Sequence, residues 1–217
     1  MSKLNMTNFI PIFPLALVVF PGENLNLHIF EPKYKQLVNE CYQAKKPFGI
    51  PVVINNKLSE LGGVVEITEI TKTYETGEMD IKTKGTGIIR ILEIIKEVPE
   101  KLYNGAIVNY LENTEHGQRK IMDSVVIAIK ELHRLLNVTK PFTKKEEDLW
   151  SYDVAHHAGL TLEGEYELLS LTNELQRQEY LKRHLLKVLP VVAEMESLKE
   201  KIKLNGHFKN LSGFNIS

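Results

Sequence analysis

Along the first half of the chain, apolar residues come in short runs, several alternating with polar ones; past Asn113 they recur every third or fourth position. Alternation is the mark of strands and the longer period the mark of helices, because side chains alternate across a strand but gather every turn on a helix. Residues 9–15 and 17–20 are apolar runs broken by Pro11 and Pro14, as expected of edge or bulged strands, since proline cannot donate to a ladder. Residues 48–54 form a continuous apolar run, predicting a buried strand, and Asn55-Asn56 supplies a turn. Within residues 62–74, Val64-Val65-Glu66-Ile67-Thr68-Glu69-Ile70-Thr71 alternates β-branched with polar residues and predicts a strand with one wet face. Further strands are predicted over 79–84, 88–97 and 105–111, with Glu75-Thr76-Gly77-Glu78 as a hairpin loop and Lys84-Gly85-Thr86-Gly87 as a bend or bulge.

One helix interrupts these strands. Pro32 suits a first helical turn, and Tyr34, Leu37, Val38 and Cys41 follow at helical spacing. Past Asn113, Ile121, Met122, Val125, Val126, Ile129, Leu132, Leu135 and Leu136 share one helix face, which Pro141 ends. Thr143-Lys144-Lys145-Glu146 matches a capping box and predicts a helix with Leu149, Trp150 and Val154 on its apolar side. Gly159 should stop it, Thr161 should cap a short helix carrying Leu168, Leu169 and Leu171, and Thr172 should cap the last and longest one. The stripe of that last helix includes Leu175, Leu181, Leu185, Leu186, Leu189, Val192, Leu198 and Ile202, with Pro190 expected to kink or split it. Residues 205–217 lack periodicity and are expected to form a loosely held tail.

Composition changes this picture little. With 27 Lys and Arg against 28 Asp and Glu in 217 residues, the chain advertises neither nucleic acid nor an anionic membrane as partner. The single cysteine, Cys41, sits on an apolar stripe, which makes burial its expected role and suits a reducing compartment. Pro11 and Pro14 interrupt the first apolar stretch, and no small-residue cleavage site follows it, so a soluble cytoplasmic protein is expected.

Pro11-Ile12-Phe13-Pro14-Leu15-Ala16-Leu17-Val18-Val19-Phe20-Pro21-Gly22, followed by Leu27-His28-Ile29-Phe30-Glu31-Pro32-Lys33-Tyr34, resembles the opening signature of the Lon protease N-terminal domain family, in a free-standing form. Phe48-Gly49-Ile50, Gly62-Gly63-Val64-Val65-Glu66-Ile67 and Thr83-Lys84-Gly85-Thr86-Gly87-Ile88-Ile89-Arg90-Ile91 agree with that family in order and spacing. The resemblance is strong to about Asn113 and fainter in the helical half. It implies an α+β fold: a PUA-like pseudo β-barrel with one early helix over residues 1–114, then an α-helical bundle over 115–206 and a tail over 207–217. It also implies a non-catalytic module that binds unfolded polypeptide, peptide or a partner protein, with a place in protein quality control.

The chemistry of the full protease is not legible here. No G-x-x-x-x-G-K-[ST] string occurs among these 217 residues, and nothing resembles the family's serine-lysine nucleophile motif. No cofactor or metal is expected: none of the seven histidines forms H-E-x-x-H, and the adjacent His156 and His157 should point in different directions from a helix. Glu146-Glu147 and Glu163/Glu165 read as helix-start carboxylates, and Lys144-Lys145 as a solvated face.

The candidate binding surface is the Phe20-Pro21-Gly22 turn with His28, Phe30, Glu31, Lys33 and Tyr34, where a strand edge and apolar contacts could hold extended polypeptide. Phe20 and Phe30 are expected in the core, Glu31 and Lys33 at the surface. Two other readings stand beside this one: an RNA-binding protein on a PUA-like fold, and an ATP-independent peptidase or part of a Lon-like protease system. Sequence leaves the oligomeric state open.

Overall fold

The apolar runs of the first half pair into one antiparallel sheet of six strands, in a computed structural model that describes residues 8–211, with side chains through residue 203. In chain order the strands are β1 (Asn8–Pro11), β2 (Asn24–Ile29), β3 (Phe48–Ile54), β4 (Lys57–Thr73), β5 (Met79–Ile95) and β6 (Gly105–Leu111). They neighbour one another as β1-β6-β5-β4-β3, with β2 pairing β5 off this path. The helices are α1 (Pro32–Ala44), α2 (Arg119–Leu136), α3 (Ser151–Val154), α4 (Leu162–Ser170) and α5 (Glu174–Leu211).

The fold is α+β, and the sheet coils strongly without closing into a barrel. Its two ends meet through isolated parallel bridges, Ile12 with Gly49 and Leu15 with Val52. Three backbone bonds make this contact: Phe13 N to Gly49 O, Leu15 N to Pro51 O and Val53 N to Leu15 O. Pro11 and Pro14 lack the donors a continuous ladder would need, so only Asn8–Pro11 pairs as a strand. Residues 17–20, read as a strand from their apolar run, are not one; Val18, Val19 and Phe20 are nonetheless fully buried. Periodicity alone cannot separate a buried irregular segment from a buried strand.

Two predicted strands, 79–84 and 88–97, form the single long strand β5. The bulge expected between them is present: Val64 pairs Gly87 and Val65 pairs Gly85, leaving Thr86 extra. A Cβ on Gly85 would lie 2.2 Å from the Phe20 carbonyl oxygen, so a side chain there would force the buried Phe20 backbone and β5 apart. β4 begins at Lys57, earlier than the predicted 62–74. β2 was not predicted, because Asn24, Asn26 and His28 dilute its apolar content to Leu25, Leu27 and Ile29.

α1 starts at Pro32 after an extended Glu31 and ends on Lys45 in the left-handed region. It closes one mouth of the coiled sheet with Leu37, Val38 and Cys41, which join Phe13, Phe48, Ile50 and Ile81 in one cluster. A second cluster spans both halves of the chain: Val18, Phe20, Val52, Leu61 and Ile88 pack against Met122, Val125, Ile129, Leu168, Leu181 and Leu185. Sheet and helices therefore share a core.

The capping box expected at Thr143 does not form. Residues 146–157 instead fold as a chain of short turns, a 3-10 turn at Glu146–Asp148, α3, and another 3-10 turn at Ala155–His157. The reason is local: the Trp150 amide bonds the Asp153 carboxylate, starting a new turn there, and Trp150 is left 40% exposed rather than on a buried side. Thr161 caps α4 as expected, accepting from Gly164 N. The cap of α5 is Asn173, whose Oδ1 accepts from Leu175 N, while the Thr172 carbonyl accepts from Thr114 N. α5 is continuous through Pro190 and runs to Leu211, into the segment read as a tail; residues 212–217 lie outside the described residues.

Candidate functional site

The seven predicted surface residues bracket β2. Phe20 and Pro21 precede it in a turn where Glu23 N bonds Phe20 O and Gly22 takes φ +87°, as a type II turn with proline then glycine requires. His28 lies on the strand; Phe30, Glu31, Lys33 and Tyr34 follow it. Phe20 is in the core as expected, 5.0 Å from the Tyr152 ring. Phe30, expected there too, is 59% exposed, because Ile29 takes the inward position at the end of β2 and alternation turns the next residue outward. Glu31 and Lys33 form an exposed ion pair at 2.9 Å, and the Lys33 ammonium sits 4.6 Å from the ring of half-buried Tyr34, itself stacked on Phe13. His28 hydrogen-bonds Asp80 across the β2–β5 pair, on the outer face of the sheet rather than inside it.

β2 has β5 as its only strand partner among the described residues. The Asp80 and Lys82 carbonyls turn toward β4, where they accept from the Thr71 and Thr68 hydroxyls. In an antiparallel ladder a residue's N–H and C=O point the same way, so the residues opposite them, His28 and Asn26, present their backbone groups away from β5. The β2–β5 register runs unbroken for six pairs. Among the described residues β4 also has no second partner beyond Val65, but there its register with β5 shifts at Ile67/Glu69 and Ile70/Lys72, which roughens that edge.

At the Pro21 end, β2 leads into a cleft between the sheet and the helical half. Two hollows of about 450 and 470 Å³ share Pro21, Gly22, Lys144, Tyr152 and Asp153 as lining. Lys144, read as part of a solvated face, is paired with Asp153 at 2.7 Å. The Tyr152 hydroxyl is buried without a hydrogen-bond partner, and burial pushes its pKa up to about 12.

Two polar networks hold the cleft's walls. In the first, His156 Nδ1 lies 2.7 Å from Glu165 and Nε2 3.2 Å from Glu23, whose carboxylate also accepts from Phe20 N. His157 points elsewhere, toward His133 and Phe142, as expected of neighbouring helical positions. In the second, the fully buried Arg177 bonds Glu174, Ser151, Asn113 and the Leu171 carbonyl, with its guanidinium 4.1 Å from the Tyr152 ring centroid. Glu174 in turn accepts from Ser151 N and Gln178 Nε2. Sequence reasoning missed this network. Glu174 and Arg177 look like any charged pair in a first helical turn, and nothing local says that the turn is buried.

Glu163 and Glu165 do fall in the first turn of α4 as expected, though Glu165 also serves His156. Cys41 is buried, and burial pushes its thiol up to about 11, away from nucleophilic duty. Among the described residues no three His, Cys, Asp or Glu side chains are grouped to hold a metal, and no helix is long and apolar enough to cross a membrane.

A sequence profile for the ATP-dependent protease La (LON) substrate-binding domain matches residues 10–201. The fold is similar to the crystal structure of a Lon N-terminal domain protein from Xanthomonas campestris, at 21% identity and a TM-score of 0.61, covering 80% of this chain and 96% of that one. It is also similar to the N-terminal domain of the Mycobacterium avium complex Lon protease, at 14% identity and a TM-score of 0.57, covering 82% and 98%.

Proposed function

Because the chain belongs to the ATP-dependent protease La (LON) substrate-binding domain family, we propose that it binds extended polypeptide as an added strand along β2 and serves protein quality control as an adaptor. The observation that carries this reading is the unbroken outer edge of β2, with outward backbone groups at Asn26 and His28. Free regular edges invite strand addition, and proteins that do not use them blunt them with bulges or charge. β4 is blunted in this way; β2 carries only Asn24, Asn26 and His28 on its outer face. At one end of the edge, Phe30 offers an exposed ring beside the Glu31–Lys33 pair; at the other, the cleft at Pro21 and Tyr152 offers room for a side chain. Backbone bonds supply affinity for any sequence, and the two ends supply preference.

Overall charge balance favours polypeptide over RNA, with 27 Lys and Arg against 28 Asp and Glu. Within the cleft, Lys144 and His156 are paired with Asp153, Glu23 and Glu165, which leaves Lys84 and Lys140 as the lysines of its lining without an ion pair among the described residues.

Calorimetric titration with a permanently unfolded protein and with a peptide array tests the proposal. Asn26→Pro removes an outward donor while leaving the ladder to β5 intact, and is expected to weaken binding about tenfold or more with an unchanged thermal melt. Binding that survives Asn26→Pro and Lys33→Glu alike would place the polypeptide elsewhere.

A further inference from the structure

The edge of β2 and the basic part of the cleft meet at one residue, Asn24. It is the first residue of β2 and also lines the hollow of about 470 Å³. Ladder alternation gives it the same outward backbone as Asn26 and His28, so a strand added along this edge makes its last bonds at the hollow. Before Asn24 the chain lies in the Phe20–Glu23 turn, which His156 holds against the helical half.

Charge decides which end of a polypeptide comes to that hollow. Of the cations in its lining, Lys144 is matched by Asp153, and His156 by Glu23 and Glu165. Lys84 and Lys140 have no carboxylate partner among the described residues, and Lys140 Nζ is held 3.0 Å from the His156 carbonyl oxygen. Lys84 lies opposite Asn24 on β5, so one surplus ammonium group stands beside the end of the edge. A strand laid antiparallel on β2 runs toward Asn24 and brings its carboxyl terminus among these lysines. One laid parallel would bring its amino terminus there and set like charges together. The lysines therefore favour the same direction as the sheet, whose strand pairs are antiparallel throughout and which gains most from another antiparallel one.

We infer that the hollow at Asn24 receives the free carboxyl terminus of the bound polypeptide, with Lys84 and Lys140 as its counter-ions and the edge of β2 holding the residues before it. The ligand class is then a polypeptide C-terminus rather than an internal segment. The Pro21 and Tyr152 wall of the hollow is left to contact the last side chain. This deepens the polypeptide-binding reading and rests on it.

Calorimetric titration of the full chain tests the inference with N-acetylated ten-residue peptides tiled along one unfolded protein, each made as a free acid and as a C-terminal amide. The free acids are expected to bind about fivefold more tightly than their amides, with the difference shrinking at high salt. Lys84→Gln combined with Lys140→Gln should bring each acid down to its amide, while Lys84→Arg combined with Lys140→Arg should keep the preference. Both lysines are exposed, so the thermal melt should be unchanged in either double variant. Acids and amides that bind the wild type equally, while Asn26→Pro weakens both, overturn the inference and leave strand addition along β2 standing. A preference that survives the two glutamines places the carboxylate elsewhere and overturns it too. So does an amide whose last residue is Glu binding as tightly as a free acid, since any carboxylate would then suffice. Peptides that bind in neither form overturn the polypeptide-binding reading itself, and this inference with it.

Discussion

His156 Nε2 lies 3.2 Å from Glu23 Oε2, a bond between the turn that begins β2 and the short turns of the helical half. The other ring nitrogen faces Glu165 at 2.7 Å. Carboxylates only accept, so both ring nitrogens must donate and the ring is held as imidazolium. Glu23 passes the constraint on to the chain itself by accepting from Phe20 N. The walls of the cleft at Pro21 are thus clipped together by one charge.

That clip should show in the pH dependence of stability. Burial opposes a charge on His156, but the hydrogen bonds and charges of Glu165 and Glu23 outweigh it and raise its pKa from 6.5 to about 9. A raised pKa means the stabilisation is full below about pH 6.5 and is lost as pH rises through about 9. His157 behaves oppositely: burial first, then nearby Lys140, His133 and His156, lower its pKa to about 4, so its contribution is lost as pH falls from about 6.5 through 4. Urea unfolding of the wild type should lose roughly 2 kcal/mol more than His156→Gln between about pH 6 and pH 9.5, after allowance for partial exposure. Equal losses in the two proteins would show that the clip is not charged.

Arg177 and Glu174 should be intolerant of single changes. Both are buried, and removing either leaves the other an unpaired charge out of water. Arg177→Met is expected to cost about 3–5 kcal/mol in urea unfolding. Adding Glu174→Leu to it should cost less than the sum of the two single changes, because no buried charge then remains.

Phe20 and Phe30 should separate folding from binding. Phe20→Ala opens a cavity in the core shared by sheet and helices and should destabilise by about 3–5 kcal/mol. Phe30→Ala should change stability by about 0.5 kcal/mol or less, since the ring is exposed, and should instead weaken polypeptide binding in the calorimeter. A large stability loss at Phe30 would return it to the structural role its sequence first suggested.

How far the sequence reached depended on how local the deciding physics was. The Thr161 cap, the Pro32 start of α1, the left-handed Gly159 and the bulge at Thr86 were all legible, because each is settled by a few neighbouring residues. Asn173 displaced Thr172 as the cap of α5 because the Thr172 backbone is engaged by Thr114, a residue far away in sequence. The turns of residues 146–157 defeated the helical pattern because short-range bonds such as Trp150 to Asp153 start new turns before one helix can propagate.

Of the candidate surface, the residue types and the burial of Phe20 were visible in advance. The outward turn of Phe30 was not, because it depends on β2 ending at Ile29, and β2 was hidden by its own polar alternate residues. Alternation, turns and caps were therefore determined by the chain itself, through rules that act over a few residues. The edge of β2 that has no second strand among the described residues, the clip of His156 on Glu23 and the burial of Arg177 were decided only by tertiary structure. Each joins residues distant in sequence, and whether a strand has a partner or a charge meets water is a property of what the rest of the fold brings beside it.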